Sequence, residues 1–223
     1  MLETALSYEA EEYIEVIYRL QKRYGVAKTS ELAKKLRVVP GSITNTIEHL
    51  ESHGLVIHEP YRGVKLTREG EKIALGIIRR HRLAERLLTD ILKAEWSTVH
   101  EDACKLEHAM TKNVVSLLEK RLGNPKCCPH GNPIPAENGT FKEEKCIMLT
   151  EIELNENCTV ARITDEKHEN LAILAEAGIK PETHICVIEK SPTKVVVSVN
   201  GKVVSLDREL AENVRVKNKQ EAQ

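Results

Sequence analysis

No apolar run in the chain approaches the ~18 residues needed to cross a bilayer, so no membrane-spanning helix is expected. The N-terminal stretch lacks a basic segment followed by an apolar one, and its first charge is Glu3. A signal peptide is therefore not expected, and the cytosol is the default compartment. There is no Gly-rich phosphate loop, no nucleophile elbow and no His-Glu-x-x-His pair. The commonest nucleotide-hydrolysing, acyl-transfer and zinc-protease chemistries thus find no support. Internal repeats and low-complexity tracts are absent as well.

What is present describes a globular protein. The 223 residues are 41% hydrophobic and 30% charged, a balance typical of soluble domains. A chain of this length buries roughly 70–75% of the surface it exposes when unfolded, enough for two or three compact units. Six cysteines without an export signal read better as thiols or metal ligands than as a disulfide framework. The formal net charge of -1 hides an asymmetry: Val16 to Arg68 carries ten basic residues and four glutamates, net +6, behind the acids Glu3, Glu9, Glu11, Glu12 and Glu15.

Apolar residues at Tyr13, Ile14, Ile17, Tyr18 and Leu20 have helical spacing, with Ser7 placed to cap the start and Gly25 to break the end. Thr29 is positioned to cap a second, short helix burying Leu32, Ala33 and Leu36. Pro40 suits the first turn of a third, which buries Ile43, Ile47 and Leu50 and stops at Gly54. Two short helices around the tight turn Arg37-Val38-Val39 predict a helix-turn-helix. Leu55-Val56-Ile57 and Val64-Lys65-Leu66, flanking a turn at Pro60 to Gly63, predict a β-hairpin wing. Thr67 then caps a long helix to about Leu92, and another is expected from about Ser97 to Leu122. The partly apolar faces of this pair suggest a dimer interface. A Pro-, Gly- and Asn-rich boundary follows at Gly123 to Gly139, and beyond Lys145 come short β runs with an Asn200-Gly201 hairpin turn. The expected fold is mainly α with a small C-terminal β-barrel, divided at residues 1–73, 74–140 and 147–217.

The polar N-terminal face of the third helix, Ser42, Thr44, Asn45, Thr46 and His49, would meet base edges in a major groove. Asn45 could pair bidentately with an adenine. Lys28, Arg37 and, on the wing, Arg62 are candidates for phosphate contacts. Singly, such residues are ordinary solvated surface; helices, turn, wing and local charge together point to DNA.

A second constellation lies on the two long helices. His81 and Glu85 are four apart and share a face; His100, Cys104, Glu107 and His108 follow along one stripe of the next helix. Alone, each is a surface or core residue. As a set mixing nitrogen, oxygen and sulfur donors, they suit a first-row transition ion better than magnesium or calcium. Glu12 and Glu15, three apart on the first helix, could reach across to complete such a site.

With these residues in hand, the chain resembles the diphtheria toxin repressor family of metal-activated transcriptional repressors. The resemblance rests on His81-Arg82-Leu83-Ala84-Glu85-Arg86-Leu87-Leu88, on Val99 through His108 and on Gly131-Asn132-Pro133-Ile134-Pro135. It implies a winged-helix domain, a helical dimerisation domain and an SH3-like domain, with two metal sites per subunit holding Fe2+ or Mn2+. By that resemblance Cys104, Glu107 and His108 belong to the primary site, and His81, Glu85 and His100 to an ancillary one. The partners implied are palindromic double-stranded operator DNA and a second copy of the chain, with no membrane and no small organic substrate. Where the iron-sensing branch has a methionine, this chain has Glu12, and Glu15 matches an acid of the manganese-sensing branch, whereas Cys104 is iron-like. Glu166 and Glu169 have the spacing of two C-terminal ligands of the iron branch, and Cys128 is a further candidate for the ancillary site. Two other readings stay open at this point: a dinuclear metallohydrolase and a metal-independent helix-turn-helix regulator.

Overall fold

The computed structural model describes residues 6–141 and 144–218; Glu3 lies outside them. The chain divides into two compact units, one running through Arg80 and including Pro135–Thr140, the other made of His81–Ile134 and the chain from Phe141 onwards.

In the first unit α1 (Tyr8–Tyr24) starts where Ser7 Oγ accepts a hydrogen bond from the Ala10 N–H at 3.2 Å and ends at Gly25, whose φ of 79° closes a bond from its N–H to Gln21 O. Helix α2 (Thr29–Leu36) begins after Lys28, so Thr29 is its first residue and not its cap. The cause is tertiary: Ala27 pairs with Val64 in both directions, at 3.0 and 2.8 Å, and the chain leaves that bridge still extended at Lys28. Arg37, with φ 56°, makes the turn into α3 (Pro40–Ser52). Ile43, Ile47 and Leu50 are at most 1% exposed and share one core with Tyr13, Ile14, Ile17 and Leu32. Strands β1 (Val56–Glu59) and β2 (Gly63–Leu66) form the antiparallel wing. Gly63 is required there, since a Cβ would meet Ala27 O at 2.6 Å. The Thr67 hydroxyl accepts from Gly70 N–H and caps α4 (Arg68–Arg86), which runs on past the unit boundary.

In the second unit α4 ends in a π-helical turn, Leu87–Ile91. The single helix expected from Ser97 to Leu122 is two, α5 (Val99–Glu107) and α6 (Lys112–Arg121). The Ala109 and Met110 N–H groups turn back onto Leu106 and Glu107, and Thr111 Oγ1 accepts from Val114 N–H to start α6 afresh. The apolar periodicity ran through the break because Met110 and Leu118 both pack with Leu83, Ala84, Ala103 and Ile134.

The C-terminal part is a six-stranded antiparallel sheet in the order β3-β8-β4-β5-β6-β7. Its strands are β3 (Ile147–Met148), β4 (Asn157–Ile163), β5 (His184–Lys190), β6 (Lys194–Val199), β7 (Lys202–Asp207) and β8 (Val214–Asn218). The expected barrel does not close: closure needs a ladder between first and last strands, and the two-residue β3 pairs only with β8. Helices α7 (His168–Glu176) and α8 (Arg208–Ala211) complete a core of Leu171, Leu174 and Leu210 with Val160, Val187 and Val197. Asn200 and Gly201, both at positive φ, make the expected hairpin turn.

Candidate metal centre and nucleic-acid interface

The polar cluster of the second unit is assembled from the end of α4, from α5, from the segment after α6 and from the approach to α7. One helical turn puts His81 and Glu85 on one face, 3.2 Å apart from Nε2 to Oε1. His81 Nδ1 lies 2.7 Å from Glu107 Oε2, and His81 Nε2 lies 3.0 Å from His100 Nδ1. Cys104 Sγ is 3.9 Å from both His81 Nδ1 and His100 Nε2, and His108 Nε2 is 3.1 Å from Glu107 Oε1.

The Gly-, Pro- and Asn-rich stretch is part of this cluster as well as a boundary. Cys128 N–H bonds Asn132 O, Gly131 N–H bonds Cys128 O, and Ile163 N–H bonds His130 O. Gly131, at φ 85°, has no room for a Cβ, which would collide with the Ala161 carbonyl. Arg86 donates to Cys127 O, and Arg82 to Pro133 O, pinning the stretch to α4. Cys128 and His130 are thereby buried at 1% and 0% exposure. His130 Nδ1 lies 3.2 Å from Glu85 Oε1 and 3.6 Å from Glu166 Oε1, and Glu166 Oε2 lies 3.5 Å from His100 Nδ1. Asn132 Nδ2 holds Glu166 Oε1 at 2.7 Å.

The electrostatics follow from crowding three imidazoles around two carboxylates. Burial disfavours charge on His81, but Glu85 above all, then Cys104 and Glu107, raise its pKa well above the ordinary value. Against the same opposition from burial, hydrogen bonds to Cys104 and Glu85 bring His100 up to about 9. His130 is raised too, by Cys128, Glu166 and Glu85. Burial works to raise Glu85, yet His81, His100 and His130 hold it well below the usual carboxylate range. Glu166 falls to about 2, burial and Glu85 being outweighed by His130 and His100. The Cys104 thiol is lowered by His100 and His81 despite its burial, whereas burial first and Glu85 next push Cys128 up to about 11.

The residues fit a divalent cation. Their donor atoms fall in groups lying within 4.8 Å of one another, among them His81, His100 and Cys104, and His81, Glu85, His100 and Glu166. Glu85 Oε2 is buried without a hydrogen-bond partner among the described residues, which a cation would supply. Nitrogen, oxygen and sulfur together match a first-row transition ion.

Two further expected donors belong to α1 of the first unit. Glu12 is half-buried on α1, and Glu15, buried on the same helix, accepts from Arg19 at 2.6 Å. Glu169 is exposed and joins no donor group among the described residues. Its three-residue spacing from Glu166 would share a face only inside a helix, and α7 starts at His168, after Glu166. His130 is the donor that sequence reasoning missed; its signal was the position two residues after Cys128.

In the first unit α3 turns Thr44, Asn45 and His49 to solvent, with Ser42 and Thr46 half-buried beside them. Lys28, Arg37 and Arg62 are exposed, and Arg62 pairs with Glu59 at 3.3 Å across the wing turn. Tyr61 stands fully out at the tip.

A winged helix-turn-helix in one unit and a buried set of transition-metal donors in the other define a metal-dependent DNA-binding regulator. Residues 5–64 match the iron dependent repressor N-terminal DNA binding domain, 67–136 the iron dependent repressor metal binding and dimerisation domain, and 147–218 the FeoA domain. The chain is 33% identical over 216 residues to the diphtheria toxin repressor of Corynebacterium efficiens, spanning 92% of this chain and 94% of the relative. It is 31% identical over 219 residues to the iron-dependent repressor IdeR of Mycobacterium tuberculosis, spanning 92% and 95%. A solved manganese-dependent transcriptional repressor in complex with manganese matches with TM-score 0.85 at 30% identity, over 94% of this chain and 99% of that one. The crystal structure of T. acidophilum IdeR matches with TM-score 0.80 at 29% identity, over 94% and 97%. The chain belongs to the diphtheria toxin repressor family of metal-dependent transcriptional repressors, DNA-binding proteins and not enzymes. DNA, a divalent metal and a second copy of the chain are accordingly its partners, and the hydrolase and metal-independent readings fall away. Among the described residues no helix is long and apolar enough to cross a membrane.

Proposed function

We propose that this chain is a cytoplasmic, iron(II)-activated repressor of metal-homeostasis genes that binds palindromic operators as a homodimer. The observation carrying the choice of iron is sulfur in the donor cluster: Cys104 and Cys128 both lie among the imidazoles and carboxylates. Thiolates favour iron over the harder manganese ion. A manganese-responsive repressor is the second reading, favoured by a carboxylate, Glu12, where the iron-sensing branch has a thioether.

Two metal sites per subunit are assigned. Glu12, with Cys104, Glu107 and His108, makes the primary, DNA-activating set; His81, Glu85, His100 and Glu166 make the ancillary one. A bound divalent cation supplies the positive charge that lets the carboxylates of a set stand together. The consequence for DNA runs through the first unit. Tyr13, Ile14 and Ile17 of α1 share a core with Ile43, Ile47 and Leu50 of α3, so fixing Glu12 fixes the recognition helix that follows α1. Asn45, Ser42, Thr44, Thr46 and His49 then read bases, while Lys28, Arg37 and Arg62 neutralise phosphates. Exposed Val114 and Leu117 on α6 support this part of the chain as the dimer face.

The test is fluorescence anisotropy on the protein's own promoter DNA, anaerobic, at controlled free iron(II), manganese(II), zinc(II) or chelator. Tightening with iron at its cellular concentration supports the reading. Tightening by manganese alone moves it to the second, and equal binding in chelator overturns both.

A further inference from the structure

We propose that Arg162, Arg215 and Lys217, on the outer face of the C-terminal sheet, form a binding site for a phosphate dianion, either free or as the monoester of a small metabolite. The site shares no residue with the metal and DNA readings above and does not depend on them.

A bulge builds it. Along β8 Val214 and Val216 are fully buried, so the alternate residues Arg215 and Lys217 face outwards. On β4 the regular register ends at Val160, opposite Val216, and resumes with Arg162, not Ala161, opposite Arg215. The extra residue re-aims the strand. Arg162 takes the outward position, while Ile163, opposite Val214, stays in the core. Two arginines thus stand side by side on one face, directly paired across an antiparallel ladder.

Like charges in that position repel, and the protein supplies little to relieve them. Neither guanidinium has a carboxylate partner among the described residues. Arg162 Nε is buried with no hydrogen-bond acceptor among them. Such a donor costs free energy until something accepts from it. The stretch after α6 crosses at this point: Gly131 passes so close that a Cβ there would meet Arg162 Cα at 2.8 Å, and His130 O accepts from Ile163 N–H at 2.9 Å.

The charges select the ligand. Lys217 pairs with Glu144, so three cations against one carboxylate leave a surplus of two positive charges. All four groups act on the Cys146 thiol, one residue before β3: burial raises its pKa, Arg162 and Lys217 oppose that, Glu144 adds to it and Arg215 opposes it. Hydrogen phosphate and phosphate monoesters carry about −1.5 to −2 at pH 7, whereas each phosphodiester of DNA carries a single charge. Two terminal oxygens also match the paired N–H donors of a guanidinium edge. The unmet Nε of Arg162 therefore suits an oxyanion better than a halide.

The experiment is isothermal titration calorimetry of the metal-free full chain with inorganic phosphate, with glycerol 3-phosphate and, at matched ionic strength, with chloride. Alkylation of Cys146, located by mass spectrometry, reports where the anion sits. One phosphate per chain is expected, with alkylation of Cys146 slowed severalfold because the anion offsets the cations beside the thiol. Arg215→Gln should weaken phosphate binding about 10–100-fold, the loss of one charge-assisted hydrogen bond. Because it also removes one of two opposed charges, its thermal unfolding in chloride should be no lower than that of the wild type. Arg162→Gln should weaken binding equally, and if it fails to fold Arg215→Gln decides alone. Glycerol 3-phosphate binding at least as tightly as phosphate assigns the ligand to a monoester, and weaker binding assigns it to the free ion. Phosphate binding no tighter than chloride, unchanged in Arg215→Gln, or without effect on Cys146 overturns the proposal.

Discussion

On α3 the inward stripe Ile43, Ile47 and Leu50 is at most 1% exposed and the polar residues face water; on α4 and α5 the inward residues include His81 at 2% and Glu85 and Glu107 at 0%. The amphipathic logic is shared, but the second unit has placed ionisable groups where the first has aliphatic ones. An exposed polar face costs little to fold and can exchange water for phosphate and bases. A buried one is tolerable only while its charges balance. The first arrangement suits a surface that reads DNA, and the second a sensor that responds to added charge.

The comparison breaks most visibly if the inward carboxylate is removed. Glu85→Ala leaves three imidazoles without their common partner and should cost the metal-free protein about 3–5 kcal/mol, the usual penalty for breaking a buried ion pair. Glu48→Ala, on the exposed face of α3, should stay within about 0.5 kcal/mol. Urea unfolding in chelator measures both, and equal costs would mean that the buried cluster is no more charge-dependent than the surface.

Next in size are the ligand variants. Glu12→Ala or Cys104→Ala should weaken operator binding about 10–100-fold at limiting iron(II), with the dimer intact by size-exclusion chromatography. Unchanged affinity would remove those residues from the switch.

Protons should compete with the cation at roughly tenfold in affinity per pH unit for each proton displaced. His100 is raised from 6.5 to about 9, so its stabilisation of the metal-free protein is complete below pH 6.5 and is lost as pH rises through 9. Glu166 is lowered from 4.5 to about 2, so its contribution is complete above pH 4.5 and is lost as pH falls through 2. Metal-free stability should therefore plateau between pH 4.5 and 6.5, while metal affinity keeps climbing towards pH 9. Calorimetry in buffers of different ionisation enthalpy reads the protons released, and release of none at pH 7 would contradict the balance drawn here.

The two units also differ in how far they could be read in advance. The helix-turn-helix and wing are local: Gly25, Pro40 and Gly54 punctuate them, and the apolar period does the rest. His81, Glu85 and Cys104 were visible for the same reason, as helical spacing puts them on one face. His130 was not, because the stretch around it has no period and is buried by distant partners, Ile163 N–H and the Asn132–Glu166 bond. Strands β3 and β8 escaped similarly, since their pairing lies across nearly the whole C-terminal part and β3 has only two residues. The Glu166/Glu169 pair failed as a pair because its spacing presumes a helix that starts two residues too late.

Arg62 offers the smallest effect and the sharpest separation of the two units. Its side chain is 81% exposed on the wing and is held only loosely, at 3.3 Å, by Glu59. Such a surface pair contributes little to stability, so Arg62→Ala should leave unfolding unchanged. A lost phosphate contact lowers the salt dependence of log K by about 0.9 and weakens operator binding a few-fold. Because that contact carries no part of the metal response, metal-loaded and metal-free affinities should fall by the same factor, leaving their ratio intact. Salt titrations of anisotropy with iron(II) and with chelator measure that ratio directly. A change in it would mean that the wing takes part in switching, and the division between an outward reading surface and an inward sensing cluster would then have to be redrawn.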